Sequence, residues 1–251
     1  MMHGFFQTGV RRALSLVSLA VCGMLVSGCQ AVSTNSPSVS QLRIIYASPD
    51  TGGIDVYASN SVLAYNLGFG TITSYIPITP GTYKLDVDQA NTRTVVTSTR
   101  ATLANNKQYT LLVGNVAASL QSTLLQDQSS PAPSGQIALR IIDQATKVGA
   151  VDIYLVPAGS TLQKVTPVLT NVVLGANTQY INVPVGTYTL YVLTAGEVPV
   201  DTTKPLYTGA ATGYPQGSAR TIVLLDRQVV TDPGLQVITA SDYDSATAAE
   251  N

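Results

Sequence analysis

The sequence predicts an all-β protein made of two tandem antiparallel β-sandwich domains, immunoglobulin-like in type, that follow a lipoprotein signal peptide. Short runs rich in β-branched and aromatic residues alternate with clusters of Gly, Pro, Asn and Asp. Several sequence blocks recur once, about 100 residues later, which indicates two domains and not a solenoid of short repeats. Beyond the N-terminal region, no segment shows sustained helical periodicity.

The N-terminal segment, residues 1–28, is predicted to be a signal peptide. Arg11 and Arg12 supply positive charge, and residues 13–26 form an apolar run shorter than the roughly 20 residues of a membrane-spanning helix. The run ends in Val-Ser-Gly-Cys, the aliphatic-small-small-Cys pattern of bacterial lipoproteins. We therefore predict cleavage before Cys29 and lipidation of its thiol with palmitate-type chains, which anchor the chain to a membrane. The alternative is a plain secretory signal with a coincidental cysteine.

The residue after the cysteine bears on location. Retention of lipoproteins in the inner membrane usually goes with Asp at this place, and here it is Gln30. By analogy, the sequence predicts a cell-envelope protein anchored in the outer membrane of a Gram-negative bacterium, facing either the periplasm or the cell surface.

Removal of the signal peptide changes the available chemistry. It takes away His3, the single histidine, and leaves Cys29 as the one cysteine of a chain that has no Trp. Ser-His-Asp and Cys-His catalysis, and zinc sites of the His or Cys type, are then unavailable within one chain. We predict no catalytic residue, no metal and no cofactor.

The charge balance excludes a further class of partner. Of the 13 Lys and Arg residues, Arg11 and Arg12 leave with the signal peptide, and the 14 Asp and Glu residues stay, for a net charge of about −3. Because nucleic-acid binding rests on clustered basic residues, and no basic patch stands out, nucleic acid is not expected as a partner.

Repeated blocks define the two domains. A strand reading Leu-Arg-Ile-Ile returns 97 positions later, whereas Gly-Thr-Tyr returns after 105, so the second copy carries about eight extra residues around 157–174. The matched blocks are residues 42–45 with 139–142, 54–57 with 151–154, 70–85 with 175–190, and 109–113 with 221–225.

Domain boundaries follow from polar, Ser- and Pro-rich stretches between these blocks. The predicted segments are a lipidated cysteine and tether at 29–40, a first domain at 41–126, a linker at 127–136, a second domain at 137–240, and a flexible tail at 241–251. Each domain is expected to have about seven strands.

Individual strands are predicted from local patterns. In residues 54–57, Ile54 and Val56 face one side of the sheet while Asp55 and Tyr57 face the other. Continuous apolar runs are typical of strands that are covered on both faces. The predicted strands are residues 42–47, 54–58, 82–87, 109–113 and 221–225, the last two of this continuously apolar kind.

These residues resemble the "domain of unknown function 4397" family. The resemblance rests on Tyr-Ala-Ser-Pro-Asp at 46–50, Ile-Asp-Val-Tyr at 54–57, Phe-Gly at 69–70 and Pro-Gly-Thr-Tyr at 80–83. The second copy departs from the first of these motifs, and Tyr46 stands where many relatives carry His. Members occur in bacterial envelope and secreted proteins, often as tandem copies behind lipoprotein signals. The resemblance implies a β fold and an envelope location, but no activity.

One acidic and one aromatic position recur in the second copy, and the four residues concerned are candidate ligand or structural contacts. Asp55 is repeated as Asp152, and Tyr57 as Tyr154. The structural interpretation is favoured: an exposed strand face, or an aspartate that accepts backbone hydrogen bonds from the preceding turn. Tyrosine must also supply the aromatic volume of the core, since the predicted mature chain has no Trp and one Phe.

A calcium site is the remaining hypothesis at the residue level. Asp86 and Asp88 lie two apart on one strand face, and calcium takes several oxygen ligands. No loop shows the dense Asp, Asn and Gly spacing of a dedicated site, and Tyr191 takes the place of Asp86 in the second copy. No metal is therefore predicted.

The predicted function is non-catalytic binding, adhesion or scaffolding by a lipid-anchored envelope protein, with envelope proteins or glycan as partners. An alternative is a hydrolase of envelope polysaccharide or peptidoglycan that uses paired carboxylates, which would need a pocket holding two carboxyl groups. A third hypothesis is a soluble periplasmic carrier, which would need a sizeable apolar cavity between the domains.

Overall fold

The computed structural model describes residues 38–228 and 234–244. The predicted signal peptide, Cys29, most of the tether and residues 245–251 of the predicted tail lie outside the described residues. From Ser38 onward the described chain forms one compact unit. Within it, no helix is both long and apolar enough to cross a membrane.

The prediction of an all-β protein is confirmed, with nine strands in each half of the described chain where about seven were expected. The first half consists of β1 Ser40–Tyr46, β2 Ile54–Ala58, β3 Ser61–Leu67, β4 Thr71–Ile72, β5 Ile76–Ile78, β6 Gly81–Gln89, β7 Val95–Leu103, β8 Gln108–Gly114, the short 3-10 helix η1 Ala117–Ser119 and β9 Gln121–Gln126. The second half consists of β10 Gln136–Gln144, β11 Val151–Pro157, the short 3-10 helix η2 Leu162–Lys164, β12 Leu169–Val172, β13 Ile181–Pro184, β14 Thr187–Thr194, β15 Tyr207–Thr208, β16 Thr212–Gly213, β17 Ala219–Asp226 and β18 Leu235–Tyr243.

Each half contains an inner sheet and an outer sheet. In the first half the inner sheet has the order β4-β1-β8-β9, with β5 also paired to β1, and the outer sheet has the order β3-β2-β6-β7. In the second half the inner sheet is β13-β10-β17-β18, and the outer sheet is β12-β11-β14-β15, with β16 paired to β14. The two halves thus have equivalent strand pairing.

The expectation of purely antiparallel sheets is wrong. β1 runs parallel to β8, and β10 runs parallel to β17, while the other pairs are antiparallel. Local sequence shows that a segment is extended, but its direction relative to a neighbour depends on which distant strand it meets. The first and eighth strands of each half are far apart in sequence, so no hairpin turn fixes their orientation.

Three principal apolar clusters lie between the sheets. One lies between the outer and inner sheets of the first half and includes Leu42, Ile44 and Val56. A second occupies the same place in the second half. A third joins the two inner sheets and includes Ile45 from the first half and Val223 from the second. The inner strands β1, β8, β10 and β17 are therefore covered on both faces, which explains their continuous apolar runs.

The register of the inner sheets corrects one detail of the repeat alignment. Arg43 lies opposite Thr110 in the pair β1–β8, and Arg140 lies opposite Thr221 in the pair β10–β17. Thr110, and not Tyr109, is therefore the equivalent of Thr221. The sequence alignment of the two copies is shifted by one residue here, because a strand that is apolar on both faces lacks the alternation of apolar and polar residues that marks its register.

Two predicted boundary segments are more ordered than expected. Strand β18 continues to Tyr243 and buries Asp242, so it runs three residues into the segment predicted as a tail. The predicted linker has loop backbone as far as Gly135, yet Asp127 and Ala132 within it are buried. Both segments pack because they carry residues of the contact between the halves.

Candidate functional site

Asp55 lies on β2 and is buried, with 3% of its surface exposed. One carboxylate oxygen accepts a hydrogen bond from the backbone N–H of Asn66 at 2.7 Å, and the other accepts one from that of Asn91 at 3.1 Å. Both donors have left-handed backbone, with φ of 47° and 61°, near the ends of β3 and β6. Asparagine tolerates this conformation better than most residues. Asp55 thus holds two strained turns that follow it in sequence.

Asp152 repeats this arrangement on β11. Its carboxylate accepts hydrogen bonds from the backbone N–H groups of Asn171 at 2.8 Å and Gly196 at 2.9 Å, and both donors again have positive φ. Neither aspartate lies on an exposed strand face, and the turns that they hold come later in the chain. Both carboxylate oxygens of each residue are occupied by backbone donors.

Tyr57 and Tyr154 are both buried but have different neighbours. The rings of Tyr57 and Tyr65 are nearly perpendicular, at 82°, with centroids 6.1 Å apart, and the guanidinium of Arg93 lies 4.2 Å from the centroid of the Tyr57 ring. Tyr154 lies instead in an apolar cluster with Leu162 and Leu193. Equivalent tyrosines therefore face a polar surface in one half and an apolar one in the other.

The polar surface of the first half, called the open face below, is the outer side of the sheet β3-β2-β6-β7. The Tyr65 side chain on its edge strand is 63% exposed. Lys84 Nζ lies 2.8 Å from an Asp86 carboxylate oxygen, and the Lys84 side chain is largely exposed. The residues of the open face are Tyr57, Tyr65, Lys84, Asp86, Asp88 and, from the turn after β6, Arg93.

Asp88 is a poorly satisfied polar group of the open face. It lies opposite Asp55 in the pair β2–β6 and is 3% exposed, and one of its carboxylate oxygens has no hydrogen-bond partner among the described residues. Burial raises the pKa of Asp88, and the nearby Asp86 raises it further, whereas Arg93 lowers it. Within the described chain, no three or more His, Cys, Asp or Glu residues are arranged to hold a metal ion.

The corresponding face of the second half is covered. Tyr191 lies opposite Tyr154 where the first half has Asp86 opposite Tyr57, and Leu193 lies opposite Asp152 where the first half has Asp88. The short helix η2, in the segment where the second half has extra residues, places Leu162 against this surface. The insertion thus closes a surface that the first half leaves open.

A cleft of about 240 Å³ lies between the two inner sheets, and its walls combine Leu112 and Leu125 with Gln121, Gln144 and Asn177. No carboxylate is among the residues that line it. The cleft is smaller than the roughly 300–1,000 Å³ of typical ligand pockets, and it is not predominantly apolar. It therefore offers neither the carboxylate pair of a hydrolase nor the apolar cavity of a carrier.

A buried polar cluster, called the interface cluster below, joins the two halves. Arg43 donates through Nε to the Thr110 hydroxyl at 2.8 Å, through Nη1 to the Ser241 carbonyl at 2.9 Å, and through Nη2 to the Asp242 carboxylate. Arg43 belongs to the first half and Asp242 to the second. Both side chains are almost fully buried.

The second half makes the equivalent contacts with the first half. Arg140 donates through Nε to the Thr221 hydroxyl at 3.0 Å, through Nη1 to the Gln126 carbonyl at 3.3 Å, and through Nη2 to the Asp127 carboxylate at 2.5 Å. Each half thus provides the arginine that neutralises an aspartate of the other half. The Thr110 hydroxyl in turn donates to Asp127 at 2.6 Å.

Two tyrosines complete the interface cluster. Tyr75 donates to Asp127 at 2.7 Å and Tyr180 donates to Asp242 at 2.8 Å, and each ring lies 4.8 Å from the guanidinium of Arg43 or Arg140. Burial raises the pKa of both tyrosines, so their hydroxyls stay protonated and donate. The cluster is sealed from solvent, and its role is structural.

The sequence carried one signal of the interface cluster: an arginine at the same place in two apolar strands.

Another buried acid with an unpartnered oxygen lies near the end of β10. Asp143 is fully buried, and one of its carboxylate oxygens accepts a hydrogen bond from the Ala145 N–H at 2.9 Å while the other has no partner among the described residues. Burial raises the pKa of Asp143 to about 6, and the nearby Asp226 adds to the increase. Asp226 itself holds the adjacent turn by accepting from Thr146 and Lys147.

Comparison with known proteins gives one family match. The model of a domain of unknown function, DUF4397, matches residues 40–154, which span the first half and the start of the second. No curated protein matches the chain.

Several solved structures show a distant likeness. A family 41 carbohydrate-binding module from a streptococcal virulence factor, described as recognising alpha-glucan, has 10% identity over 64% of this chain and 83% of its own, with a TM-score of 0.22. A family 26 carbohydrate-binding module of Eubacterium rectale Amy13K, solved with maltoheptaose, has 12% identity over 83% and 98%, with a TM-score of 0.23. A Bacteroides fragilis protein described as a putative cell adhesion protein has 10% identity over 83% and 99%, with a TM-score of 0.20. These scores are too low to support any statement about function.

Proposed function

We propose that this chain is a lipid-anchored protein of the bacterial cell envelope that binds a partner without catalysing a reaction, and that it binds through the open face. One observation carries the proposal. The same sheet surface is apolar and covered by Leu162 in the second half, but polar in the first, where Tyr65 and Lys84 are exposed.

The energetics of the open face support a binding role. The second half shows that this fold can make the surface apolar and bury it, as Leu193 does at the place of Asp88. The first half instead has Asp88 at this place, buried, with one carboxylate oxygen that lacks a hydrogen-bond partner. Burial of such an oxygen lowers the stability of the fold by about 1–3 kcal/mol. A polar surface with an exposed tyrosine, at a place where the other half is apolar and covered, is therefore a candidate surface for binding a ligand.

A hydrolase with paired carboxylates is less well supported. Asp86 is partly exposed, so water reaches it, whereas Asp88 on the same strand is buried and closed to a substrate. The cleft between the inner sheets is lined without any carboxylate. The four acids and bases of the interface cluster are neutralised by one another and sealed from substrate.

Anchoring and duplication complete the proposal. The N-terminal sequence supports lipidation at Cys29 and an outer-membrane location, with the membrane as a partner through the lipid. The equivalent strand pairing of the two halves, together with the paired roles of Arg43 and Arg140, supports a second, diverged copy of the domain matched at 40–154.

Lipidation is tested by metabolic labelling of cells with an alkyne fatty acid. The wild-type protein should take up the label and C29S should not. C22S, which changes the cysteine inside the predicted signal peptide, is the matched control and should stay labelled. Equal labelling of wild type and C29S would refute the lipid anchor.

Binding through the open face is tested with a photo-crosslinking amino acid placed in living cells. Val62, 42% exposed and opposite Tyr57 on the open face, is one position, and Val198, 79% exposed in the second half, is the control. We expect a crosslinked product, with either a protein or a glycan, from position 62 and none from position 198. Identical patterns from the two positions would refute the open face as the binding surface.

A further inference from the structure

We infer that the ligand of the open face is an uncharged polysaccharide. This inference rests on the proposed function and adds the chemical class of the ligand. Three features support it: the charge balance of the face, the placement of its aromatic ring, and the position of its charges within the sheet.

The charges of the open face cancel. Lys84 is paired with Asp86 at 2.8 Å, and it also lies opposite Arg100 in the pair β6–β7. With Asp55 and Arg100 included, this side of the sheet holds three carboxylates and three cations, namely Asp55, Asp86, Asp88, Lys84, Arg93 and Arg100. A balanced face has no net field to attract a polyanion or a polycation.

The aromatic group of the face is placed for stacking. Tyr65 is 63% exposed, while its ring is braced by the nearly perpendicular ring of Tyr57, which in turn lies under the guanidinium of Arg93. A braced ring loses little freedom when a ligand packs against it. Tyrosine also presents an apolar ring with a polar tip, which suits the mixed apolar and hydroxylated surface of a sugar.

The polar groups around this ring match hydroxyl groups. A hydroxyl both donates and accepts hydrogen bonds. Lys84 and Arg93 can donate, while the partly exposed carboxylate of Asp86 can accept. A ligand with many neutral hydroxyls can satisfy both kinds of group without bringing a charge of its own.

The position of the charges argues against a protein partner. The centre of a protein–protein interface is depleted of charged residues, which lie at its rim. Here Asp86 and Asp88 are on β6, a central strand of the sheet, and the aromatic Tyr65 is on the edge strand β3. The arrangement is the reverse of the one that a protein partner favours.

Affinity gel electrophoresis of the full chain tests the inference with named probes. Gels contain amylose, dextran or galactomannan as uncharged polysaccharides, or alginate as a polyanion. We expect at least one uncharged polysaccharide to slow the wild type, with little dependence on salt. Y65A should weaken that binding about tenfold or more, Y65F should retain it because the ring remains, and D86N should weaken it.

The matched control is V198A, at an exposed apolar residue of the second half, which should bind as the wild type does. Circular dichroism checks that each variant is folded, and Y65F keeps the test valid if Y65A is not. Equal retardation of the wild type and the folded Y65A variant would overturn the inference.

Other outcomes separate this inference from the proposed function. If only alginate retards the protein and added salt abolishes the effect, the claim that the ligand is uncharged is wrong. If no gel retards the protein but a protein is crosslinked from position 62, the ligand is not a polysaccharide, although the open face still binds a partner. Absence of both retardation and a specific crosslink would overturn the inference and the proposed function together.

Discussion

Arg43 on β1 donates a hydrogen bond to the carboxylate of Asp242 on β18, 199 residues further along the chain, and both side chains are buried. The contact has a counterpart in which Arg140 of the second half binds Asp127 of the first. A buried charge is tolerated when an opposite charge and further hydrogen bonds satisfy it. Since each half supplies the counterion for the other, association of the halves is what allows these four charges to be buried.

Removal of one carboxylate from this cluster should destabilise the whole protein. D242N leaves Arg43 without its closest counterion, and loss of one partner of a buried pair costs about 3–5 kcal/mol. The free energy of unfolding from urea titration gives the measurement. D244N, at the exposed partner of Arg220, is the control and should cost less than about 1 kcal/mol. Equal losses would show that the interface cluster does not hold the halves together.

Asp143 should make stability depend on pH. Its pKa is about 6 in the folded protein against an ordinary value of 3.8, so the folded state binds the proton more tightly than the unfolded state does. The contribution of Asp143 to the free energy of unfolding therefore falls by up to about 3 kcal/mol as the pH rises from about 4 to about 6.

The variant D143N isolates this effect, because Asn keeps an acceptor for the Ala145 N–H and removes the buried charge. Thermal unfolding at two pH values measures it. D143N should be more stable than wild type at pH 7.5, and this advantage should vanish at pH 4. A difference independent of pH would show that Asp143 does not titrate as described.

Gly114, at the end of β8, has no room for a side chain. A Cβ at this position would lie 2.0 Å from Oε1 of Gln144, whose side chain also accepts a hydrogen bond from the Asn115 N–H at 2.9 Å. G114A should therefore displace Gln144 and cost about 1–3 kcal/mol. The double variant G114A/Q144A is the test. The G114A substitution should lower stability much less when Gln144 is already replaced by alanine. If the stability losses of G114A and Q144A simply add in the double variant, the steric explanation is wrong.

The two aspartates that hold left-handed turns should have matching effects. D55N and D152N each place an amide N–H₂ against a backbone N–H, so one hydrogen bond is lost and a buried donor is left unpaired. Each should cost about 1–3 kcal/mol in urea titration. D201N, at an exposed position, is the control. A loss for only one of the two would show that their roles are not equivalent.

The sequence identified the strands because strand identity is encoded locally. All five strands predicted from the sequence are present, among them the apolar strands that include residues 109–113 and 221–225. The recurrence of Asp55 as Asp152 also identified a real equivalence, since both hold turns in the same way. In each case neighbouring residues carry the information, through alternation, turn residues or repetition.

The tertiary structure decided the features that depend on residues far apart in the chain. It set the parallel direction of β1 and β8, the register that pairs Arg43 with Thr110, and the contact of Arg43 with Asp242. It also decided that η2 covers the outer face of one half while Tyr65 stays exposed on the other. Pairing of sheets, burial of charge and covering of a surface are properties of the assembled layers, and no local pattern in the chain specifies which distant segment meets which.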